Sequence, residues 1–409
     1  MPKEGIITGL DIGTTKIGVV VAEQTEEGSF KILGVGNAPS EGLKKGVIVS
    51  LEAAVDSVRK ALDDAELVSG CQIESSYVSI AGDHVKSINS RGVVAVGKSS
   101  TEIVQTDVER SIEAAKTVAI PSDREIIHVL PQEFAIDDQR GIKDPVGFSG
   151  VRLEVDVHIV TGSVSAAHNI LRCVEKAGIE VDELVLEPLA SSYAVLSKDE
   201  MELGCVMIDL GGGTTDLAVY HDGSIKHTAV VGVGGKDITS DLAIGLRTPL
   251  DYAEKLKCHY GSALSSMVDA SEMVTVPGVA GREPRDVSRS VLASIIEPRA
   301  EEIFSLVARE LKKGHLTEMM AAGVILTGGG AQLEGILELA EQIFDLPAKL
   351  GSPLQYENCD EITPGPSFST GIGLIHYATS RTERVGRRSR SGGMAKKFEK
   401  IKRWLNEYF

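Results

Sequence analysis

The stretch that decides the fold is Cys205-Val-Met-Ile-Asp-Leu-Gly-Gly-Gly-Thr-Thr-Asp-Leu-Ala-Val-Tyr220. Its apolar run from Cys205 to Ile208 predicts a buried strand that ends at Asp209. A second apolar run, Leu217 to Tyr220, predicts the return strand of a hairpin. Because the Gly-Gly-Gly turn has almost no side-chain bulk, its backbone N–H groups can approach an anion closely, as in phosphate-binding turns.

The polar residues of this hairpin suit a phosphate and its metal ion. The hydroxyls of Thr214 and Thr215 can donate to phosphate oxygens, and Asp209 and Asp216 are placed to hold a hydrated Mg²⁺ beside them. An ordinary glycine-rich turn would show the same local pattern, so this hairpin alone does not decide the function.

The stretch Gly9-Leu-Asp-Ile-Gly-Thr-Thr-Lys-Ile-Gly-Val-Val-Val-Ala22 repeats this pattern near the start of the chain. Such self-similarity predicts a duplicated α/β architecture in which two phosphate-binding hairpins face one cleft. Lys16 adds a cation where a β- or γ-phosphate would lie. The predicted nucleotide-binding residues of the two hairpins are Asp11, Gly13, Thr14, Thr15, Lys16, Asp209, Gly211, Gly212, Gly213, Thr214, Thr215 and Asp216.

Two later junctions are candidates for contacts with the phosphates. Glu187 stands at a predicted strand end, directly before Pro188, which can open a helix. Its carboxylate could orient a water near a γ-phosphate, although an ordinary acid at a helix N-terminus gives the same pattern. Gly234 and Gly235 form a second strand-to-helix junction, with a helix N-terminus that favours anions.

Further residues are candidates for the nucleoside and the metal. Glu254 and Lys257 share one helical face and suit a nucleoside clamp, although an ordinary surface pair would look the same. The glycines of the later Gly-rich loop, Gly328, Gly329 and Gly330, would let a base ring lie flat on the backbone. Asp11 and Asp209 are the predicted Mg²⁺ residues, with water between carboxylate and ion.

Charge is distributed unevenly along the 409 residues. The chain has a net charge of −17, but residues 381–409 carry ten Lys/Arg and three Glu, so the rest of the chain carries −24. This balance argues against general nucleic-acid binding and suggests a separate anionic partner for the basic tail. Five scattered cysteines, no signal-peptide pattern and no apolar run long enough to span a bilayer predict a protein of the reducing cytosol.

Five segments, in this order along the chain, resemble the motifs of the actin and sugar-kinase superfamily: Asp11-Ile-Gly-Thr-Thr-Lys16, Glu187-Pro-Leu-Ala-Ser-Ser-Tyr193, Asp209-Leu-Gly-Gly-Gly-Thr-Thr-Asp216, Thr327-Gly-Gly-Gly330 and Ser369-Thr-Gly-Ile-Gly-Leu-Ile375. Within that superfamily the chain is most similar to the FtsA family of bacterial cell-division proteins. The segments that carry this closer resemblance are Ile80-Ala-Gly-Asp-His84, Asn89-Ser-Arg-Gly92, His128-Val-Leu-Pro-Gln-Glu-Phe134 and Gly141–Glu154.

The resemblance implies an α/β fold with duplicated actin-like (ribonuclease H-like) subdomains around a nucleotide cleft, an inserted α+β module and a C-terminal amphipathic helix. The expected parts are residues 1–82 with 163–190 as the first core subdomain, 83–162 as the inserted module, 191–242 with 309–380 as the second core subdomain, 243–308 as an accessory subdomain, 381–393 as a linker and 394–409 as a membrane-targeting helix.

The resemblance also implies a function. The protein would bind ATP and Mg²⁺, polymerise head to tail through the inserted module, and recruit the tubulin-like FtsZ ring to the cytoplasmic face of the membrane at the division site, together with other division proteins. The FtsZ C-terminal tail would dock on the accessory subdomain, where we expect Arg299 and Glu302 to contribute contacts. Members of that family are often poor ATPases, so the resemblance implies weak ATP hydrolysis at most.

The C-terminal tail has the pattern of a membrane-surface helix. Residues 381–393 are basic, lack apolar periodicity and predict a flexible linker that spans roughly 20 Å as a coil. In the last sixteen residues the apolar side chains share one helical face and basic side chains lie on the other, which is typical of an interfacial helix. The predicted membrane residues are Phe398, Ile401, Trp404, Leu405, Tyr408, Lys396, Lys397, Lys400 and Arg403.

Three alternatives remain open from the residues alone. The terminal helix could instead pack on the protein's own body. A small-molecule kinase of the same fold would need a second substrate pocket with a catalytic aspartate at the cleft mouth, and would give the basic tail no role. An actin-like adaptor of the pilus-assembly type is a third possibility, which the inserted-module segments disfavour.

Overall fold

The structure is a computed structural model that describes residues 5–25, 29–97, 102–279, 281–353 and 365–389. Its strands are β1 (Ile6–Ile12), β2 (Lys16–Gln24), β3 (Phe30–Pro39), β4 (Leu43–Lys44), β5 (Val47–Ile48), β6 (Ser75–Ile80), β7 (Lys86–Ala95), β8 (Arg124–Ile136), β9 (Gln139–Ile142), β10 (Arg152–Ser163), β11 (Glu180–Leu186), β12 (Cys205–Leu210), β13 (Thr215–His221), β14 (Ser224–Val231), β15 (Met273–Val276), β16 (Arg285–Ser288), β17 (Val324–Thr327) and β18 (Ala348–Leu350).

The helices of the described residues are α1 (Leu51–Ser69), α2 (Gln105–Ala115), α3 (Val164–Ala177), α4 (Glu187–Val195), α5 (Lys198–Leu203), α6 (Gly235–Leu246), α7 (Leu250–Tyr260), α8 (Arg289–Lys313), α9 (Ile336–Phe344) and α10 (Ser369–Ser389). Short 3₁₀ turns occupy Ser265–Met267, Thr317–Met319, Gly329–Gln332 and Gly365–Phe368.

Two five-stranded sheets share one topology. The first has the order β11-β6-β1-β2-β3 and the second has the order β18-β17-β12-β13-β14. In each sheet a central strand (β1 or β12) begins an antiparallel meander of three strands on one side and pairs in parallel with the next strand on the other. The predicted duplication of an actin-like α/β architecture is therefore confirmed.

The central strands of the second sheet, β12, β13 and β17, are buried on both faces. Val206 and Ile208 of β12 face a core formed with α6, α8 and α9, whereas Cys205 and Met207 face the core between the two sheets. This alternation follows from the two-residue repeat of a strand. Helices α4 and α10 cross in the central core, where Gly373 lies so close to the carbonyl of Ala190 that no β-carbon fits. The crossing places the start of α10 beside the ends of β1 and β12.

The inserted segment is a separate α+β unit. Its sheet has the order β7-β10-β8-β9, and α2 packs on one face of it. A small core of its own includes Phe134, Leu153 and Val157. The chain leaves the first sheet after β6 and returns through β10 directly into α3, so the unit is attached to the first sheet by two neighbouring segments.

The C-terminal helix α10 ends later than the sequence suggested. Residues 381–389, which we expected to belong to a flexible linker, continue the helix as far as Ser389. Extension is favourable because the buried residues Ile372 and Ile375 already fix the first turns, so further residues add to an existing nucleus. The boundary predicted at residue 381 is therefore corrected to residue 389, and the predicted membrane helix, 394–409, lies outside the described residues.

Candidate nucleotide-binding site

The two hairpins face one cleft with a volume of about 600 Å³. Its wall includes most residues that the sequence nominated for the nucleotide: Asp11, Gly13, Thr14, Thr15, Lys16, Asp209, Gly211, Gly212, Gly213, Thr214, Gly235, Glu254, Lys257, Gly328, Gly329 and Gly330. Glu187 also lines the cleft. The structure thus brings together residues from widely separated segments between Asp11 and Gly330.

The hairpins contact each other at the bottom of the cleft. Gly212 and Gly213 lie against the side chains of Thr15 and Thr14, and a β-carbon at either glycine would collide with them. Across the same contact, the Lys236 ammonium donates to the Thr14 carbonyl at 2.7 Å. The glycines are therefore needed for close approach of two backbones, in addition to any approach to a phosphate.

Two aspartates occupy equivalent positions in the two sheets, and a serine hydroxyl bonds each one. Ser79 donates to Asp11 Oδ1 at 2.9 Å, and Ser191 donates to Asp209 Oδ2 at 2.8 Å. Burial raises the pKa of Asp209 to about 6, against the lowering effect of its Ser191 hydrogen bond. Burial likewise raises the pKa of Asp11, while Lys16 and Ser79 lower it.

Two further carboxylates are buried beside these aspartates. Burial, with smaller contributions from Asp209 and Asp11, raises the pKa of Asp216 to about 8. Burial also raises the pKa of Glu187 well above its usual value, and the charges of Asp216, Asp11 and Asp209 add to the effect. Four acidic groups thus share a desolvated region in which the anionic forms repel one another. A cation bound there would relieve this repulsion and favour the ionised forms.

Lys16 provides a positive charge within this acidic region. Its ammonium donates to the carbonyl of Ser367 and lies 3.5 Å from the centroid of the Phe368 ring. Burial lowers the pKa of Lys16, while the charges of Asp11, Asp209 and Glu187 raise it. The first hairpin is therefore tied to the segment that leads into α10.

The opposite end of the cleft is formed by α6 and α7. The Lys257 ammonium donates to Glu254 Oε2 at 2.8 Å and to the Gly235 carbonyl at 3.1 Å. Thr239 Oγ1 also donates to Glu254, and together these contacts lower the pKa of Glu254 despite its burial. Glu254 and Lys257 therefore link α7 to α6, and both also line the cleft.

Three nominated residues do not line the cleft. The Thr215 hydroxyl donates to the Val233 carbonyl at 2.8 Å, so it joins β13 to the following loop and is not available to a phosphate. The Asp216 side chain, on β13, is fully buried and does not reach the cleft. Gly234 is the N-cap of α6, and its N–H donates to Asp237 Oδ2 at 2.9 Å.

The start of α6 also differs from the expected anion site. The N–H of Gly235 donates to the Gly211 carbonyl at 2.9 Å, and the N–H of Lys236 donates to the Gly212 carbonyl at 2.7 Å. These donors therefore hold the second hairpin in place. The sequence signal of a Gly-rich strand-to-helix junction was correct in position, but the first N–H groups bond to the protein itself.

Several residues of the site were missed at the sequence level. Lys236 follows the Gly234-Gly235 junction and reaches across the cleft to the first hairpin. Ser191 and Thr370 form a hydroxyl pair at 3.0 Å behind Asp209, and both belong to segments that the superfamily resemblance had marked. Cys258 and His259 complete the wall near Lys257, with no distinguishing sequence signal.

The other nominated sites fall partly within the described residues. Arg299 lies on α8, where it makes a two-pronged contact with Asp241 (Nε to Oδ2 at 2.6 Å) and also pairs with Glu302. The predicted membrane residues lie outside the described part of the chain: Phe398, Ile401, Trp404, Leu405, Tyr408, Lys396, Lys397, Lys400 and Arg403.

None of the helices in the described ranges combines the length and the hydropathy that a membrane span requires. In the same ranges, no group of three or more His, Cys, Asp or Glu side chains is arranged to ligate a metal ion directly.

Comparison with known proteins identifies the relatives of this chain. A family model described as cell division protein FtsA matches residues 206–373, and one described as the SHS2 domain inserted in FtsA matches residues 82–161. The curated cell division protein FtsA of Pseudomonas aeruginosa is 44% identical over 411 residues, which cover 99% of this chain and 98% of that protein.

Solved structures that resemble this fold come from other actin-like proteins. The PilM–PilN type IV pilus biogenesis complex matches with a TM-score of 0.65 at 17% identity, covering 91% of this chain and 98% of the matched chain. MreB5 of Spiroplasma citri bound to ADP matches with a TM-score of 0.56 at 15% identity, covering 96% of this chain and 100% of that one. These structural similarities show an actin-like fold. The 44% identity over 99% of the chain shows which family with that fold the chain belongs to. The chain belongs to the FtsA family of bacterial cell-division proteins.

Proposed function

We propose that the protein binds ATP with Mg²⁺, assembles into filaments on the cytoplasmic face of the membrane, and tethers the FtsZ ring to it during cell division. The observation that carries the nucleotide part is the convergence of two glycine hairpins, Lys16 and the buried carboxylates of Asp11, Asp209 and Glu187 on one cleft. FtsA family membership supports the role in division.

The shape of the cleft is suited to a nucleoside triphosphate. The hairpin backbones and Thr14 and Thr214 supply donors for phosphate oxygens at one end. Glu254, Lys257 and glycines 328–330 also line the cleft and would contact the ribose and base. A volume of about 600 Å³ is within the range of pockets that hold molecules of this size.

The acidic residues suit a hydrated magnesium ion. Asp11 and Asp209 would hold Mg²⁺ through water, because the carboxylates do not converge as direct ligands and Mg²⁺ keeps several of its waters. When bound, Mg²⁺ supplies positive charge that neutralises the phosphates. Ser79 and Ser191 fix the two carboxylates in position for this contact.

Glu187 is the proposed water-orienting residue for slow ATP hydrolysis. It begins α4, is largely buried and lines the same cleft as the hairpins. Burial raises the pKa of Glu187, and a bound cation would favour the ionised form in which this carboxyl can act as a base. ATP hydrolysis would therefore depend on Mg²⁺ in two ways: for binding of the ATP phosphates and for ionisation of the Glu187 carboxyl.

Membrane attachment is assigned to the C-terminal tail. Residues 394–409 combine apolar and aromatic anchors with five Lys/Arg, and each basic residue near an anionic leaflet adds about 1 kcal/mol of attraction. A helix of this length would lie in the headgroup region and would not cross the bilayer. FtsZ binding is assigned to the accessory subdomain near Arg299 and Glu302, and head-to-tail assembly to the inserted module.

Electron microscopy on a lipid monolayer with and without ATP tests the proposal. We expect single or paired filaments of the full chain with ATP and Mg²⁺, and none when residues 394–409 are removed. Calorimetry with ATP tests the cleft separately. Isolated monomers on the monolayer, from protein that binds ATP, would contradict the assembly part and leave the nucleotide part intact.

A further inference from the structure

Strand β8 of the inserted module has two bulges opposite its partner β10. One places an extra residue at Gln132, directly after Pro131, and the other places an extra residue at Ile127, directly before His128. A bulge turns the neighbouring side chains away from their regular alternation. His128 and Gln132 belong to the segment that marked the FtsA resemblance, and both point out of the module toward the core of the protein.

His128 attaches the module to the first core subdomain. The backbone N–H of Leu186 donates to His128 Nε2 at 2.9 Å, and the ring is buried. Burial lowers the pKa of His128 to about 3, so the ring stays neutral and can accept this bond at physiological pH. Leu186 directly precedes Glu187, the carboxyl at the start of α4 that lines the cleft. One end of β8 is therefore fixed beside the nucleotide site.

Gln132 attaches the same strand to the second core subdomain. Its amide donates to the Ile225 carbonyl of β14 at 2.8 Å, and the neighbouring Asn89 amide donates to the Lys226 carbonyl at 3.2 Å. Because β14 is the edge strand of the second sheet, outward carbonyls there have no strand partner. Side-chain amides of the module take the place of that missing strand.

Two more contacts extend this junction. Ser87 Oγ donates to the Thr228 carbonyl at 2.8 Å. The buried His158 ring bridges Asn89 Oδ1 at 2.7 Å and Thr228 Oγ1 at 2.9 Å. The module is thus bonded to the second sheet by four side chains, although it is covalently joined only to the first.

We propose that the inserted module is a brace between the two core subdomains, and that its docking on β14 and nucleotide binding in the cleft strengthen each other. In this structure the module is docked on β14 and the two hairpins are in contact at the same time. Gly212 lies against Thr15, and Lys236 is bonded to Thr14. Rotating one sheet away from the other would separate the hairpins and the module–β14 bonds together. A ligand held between the hairpins therefore favours docking, and linkage makes the effect reciprocal.

The coupling rests on the proposed nucleotide binding but goes beyond it, because residues far from the cleft are predicted to set nucleotide affinity. The test uses the double variant Asn89→Ala/Gln132→Ala in the full chain. Asn89 is exposed and Gln132 is half-buried, so both substitutions are compatible with folding. Gln105→Ala is the matched control, since this exposed amide bonds to Glu109 of the same helix and, among the described residues, has no bond to the second sheet.

Calorimetry with ATP and Mg²⁺ is expected to show binding weakened by about threefold to tenfold in the double variant, the effect of losing one or two net hydrogen bonds. The control should match the wild type. Hydrogen exchange provides a readout that needs no substitution: in the wild type, ATP should slow exchange in residues 224–231 and 86–95. In the double variant that protection should shrink while protection of the hairpins remains.

The outcomes separate the two proposals. A wild type that binds no nucleotide overturns both the proposed function and the brace. A wild type that binds ATP, with equal affinity in the double variant and no protection of residues 224–231, overturns the brace alone. Protection of β14 by ATP in the wild type supports the brace even if the double variant folds poorly.

Discussion

Gly212 in the second hairpin packs directly against the side chain of Thr15 in the first, and no space remains for a β-carbon at position 212. The two residues come from different sheets and are almost 200 positions apart in the chain. Their contact fixes how closely the two halves of the molecule approach, and it lies where phosphates would be held. Adding one methyl group at this point is therefore a direct test of the cleft.

Gly212→Ala is expected to weaken ATP binding by about tenfold or more, because the hairpins must separate to admit the methyl group and each tenfold corresponds to about 1.4 kcal/mol. Calorimetry measures the effect. Gly97→Ala is the control, because a β-carbon there has no neighbour within 4 Å among the described residues and the backbone needs no positive φ. Equal ATP affinity in Gly212→Ala and the wild type would remove the assignment of this hairpin to the phosphates.

Glu187→Gln should separate binding from hydrolysis. The amide keeps the size of the carboxyl but cannot act as a base, so we expect any ATP turnover to fall by about 100-fold with little change in ATP affinity. Because burial raises the pKa of Glu187, turnover of the wild type should also increase with pH as this carboxyl ionises. A variant that hydrolyses ATP at the wild-type rate would exclude Glu187 from the reaction.

The stability of the nucleotide-free protein should fall as pH rises. The pKa of Asp216 is raised to about 8 in the folded state and is near its usual value of about 4 in the unfolded chain, so between these values the folded state binds more protons. Linkage then requires the free energy of unfolding to decrease with pH across that window, and to level off above it.

Asp216→Asn removes the contribution of Asp216 to this dependence, because the amide cannot ionise. We expect the variant to exceed the wild type in Tm by at least about 2 °C at pH 8 without nucleotide. The difference should shrink toward pH 5, where the wild-type carboxyl is protonated. Thermal unfolding followed by circular dichroism at both pH values measures it, and identical profiles for the two proteins would mean that Asp216 is ionised in the empty cleft.

Ile401→Glu/Trp404→Glu in the tail should abolish co-sedimentation with vesicles that contain anionic lipid, because two charges then lie on the apolar face. ATP binding should be unchanged, since the described residues that line the cleft lie between Asp11 and Thr370. Glu407→Gln, on the polar face, serves as the control and should bind vesicles at least as well as the wild type. Vesicle binding by the double variant at the wild-type level would refute the assignment of this segment.

Glu302→Gln should weaken binding of the FtsZ C-terminal tail peptide by a few-fold, the effect of one exposed charge contact. Arg299 is a poorer probe, because its fork on Asp241 joins α8 to α6 and its removal would disturb the subdomain. Glu301→Gln is the neighbouring exposed control. Fluorescence anisotropy with the peptide measures both, and equal affinities would place the docking surface elsewhere.

The fold was predictable because the same pattern of strand, glycine turn and strand occurs twice in the sequence. The hairpins that begin with Asp11-Ile-Gly-Thr-Thr and Asp209-Leu-Gly-Gly-Gly-Thr-Thr predicted the duplicated architecture, and the structure shows the same strand order in both sheets. The end of α10 was not predictable from composition, because the basic residues after 380 suit a coil as well as an anchored helix. Helix extension depends on the packing of Ile372 and Ile375, which only the tertiary structure provides.

Within the site, positions were more predictable than roles. The sequence placed Thr215 and Gly235 correctly in the hairpin and at the helix start, but it could not show that their donors bond to Val233 and Gly211. Lys236 was missed because its partner, the Thr14 carbonyl, is more than 200 residues away. A pattern along the chain identifies which residue types are present, whereas the direction of a donor depends on contacts between distant segments.

Helix α10 begins beside the cleft, where Thr370 contacts Ser191, and runs without interruption to Ser389. Its 21 residues make a rod about 30 Å long. Only residues 390–393 separate that rod from the proposed membrane helix, and four residues can reach at most about 14 Å. A body attached by so short a tether cannot turn freely above a bilayer. If residues 394–409 bind the bilayer as proposed, one side of the body would face the lipid and the rod would set the height of the cleft above the surface.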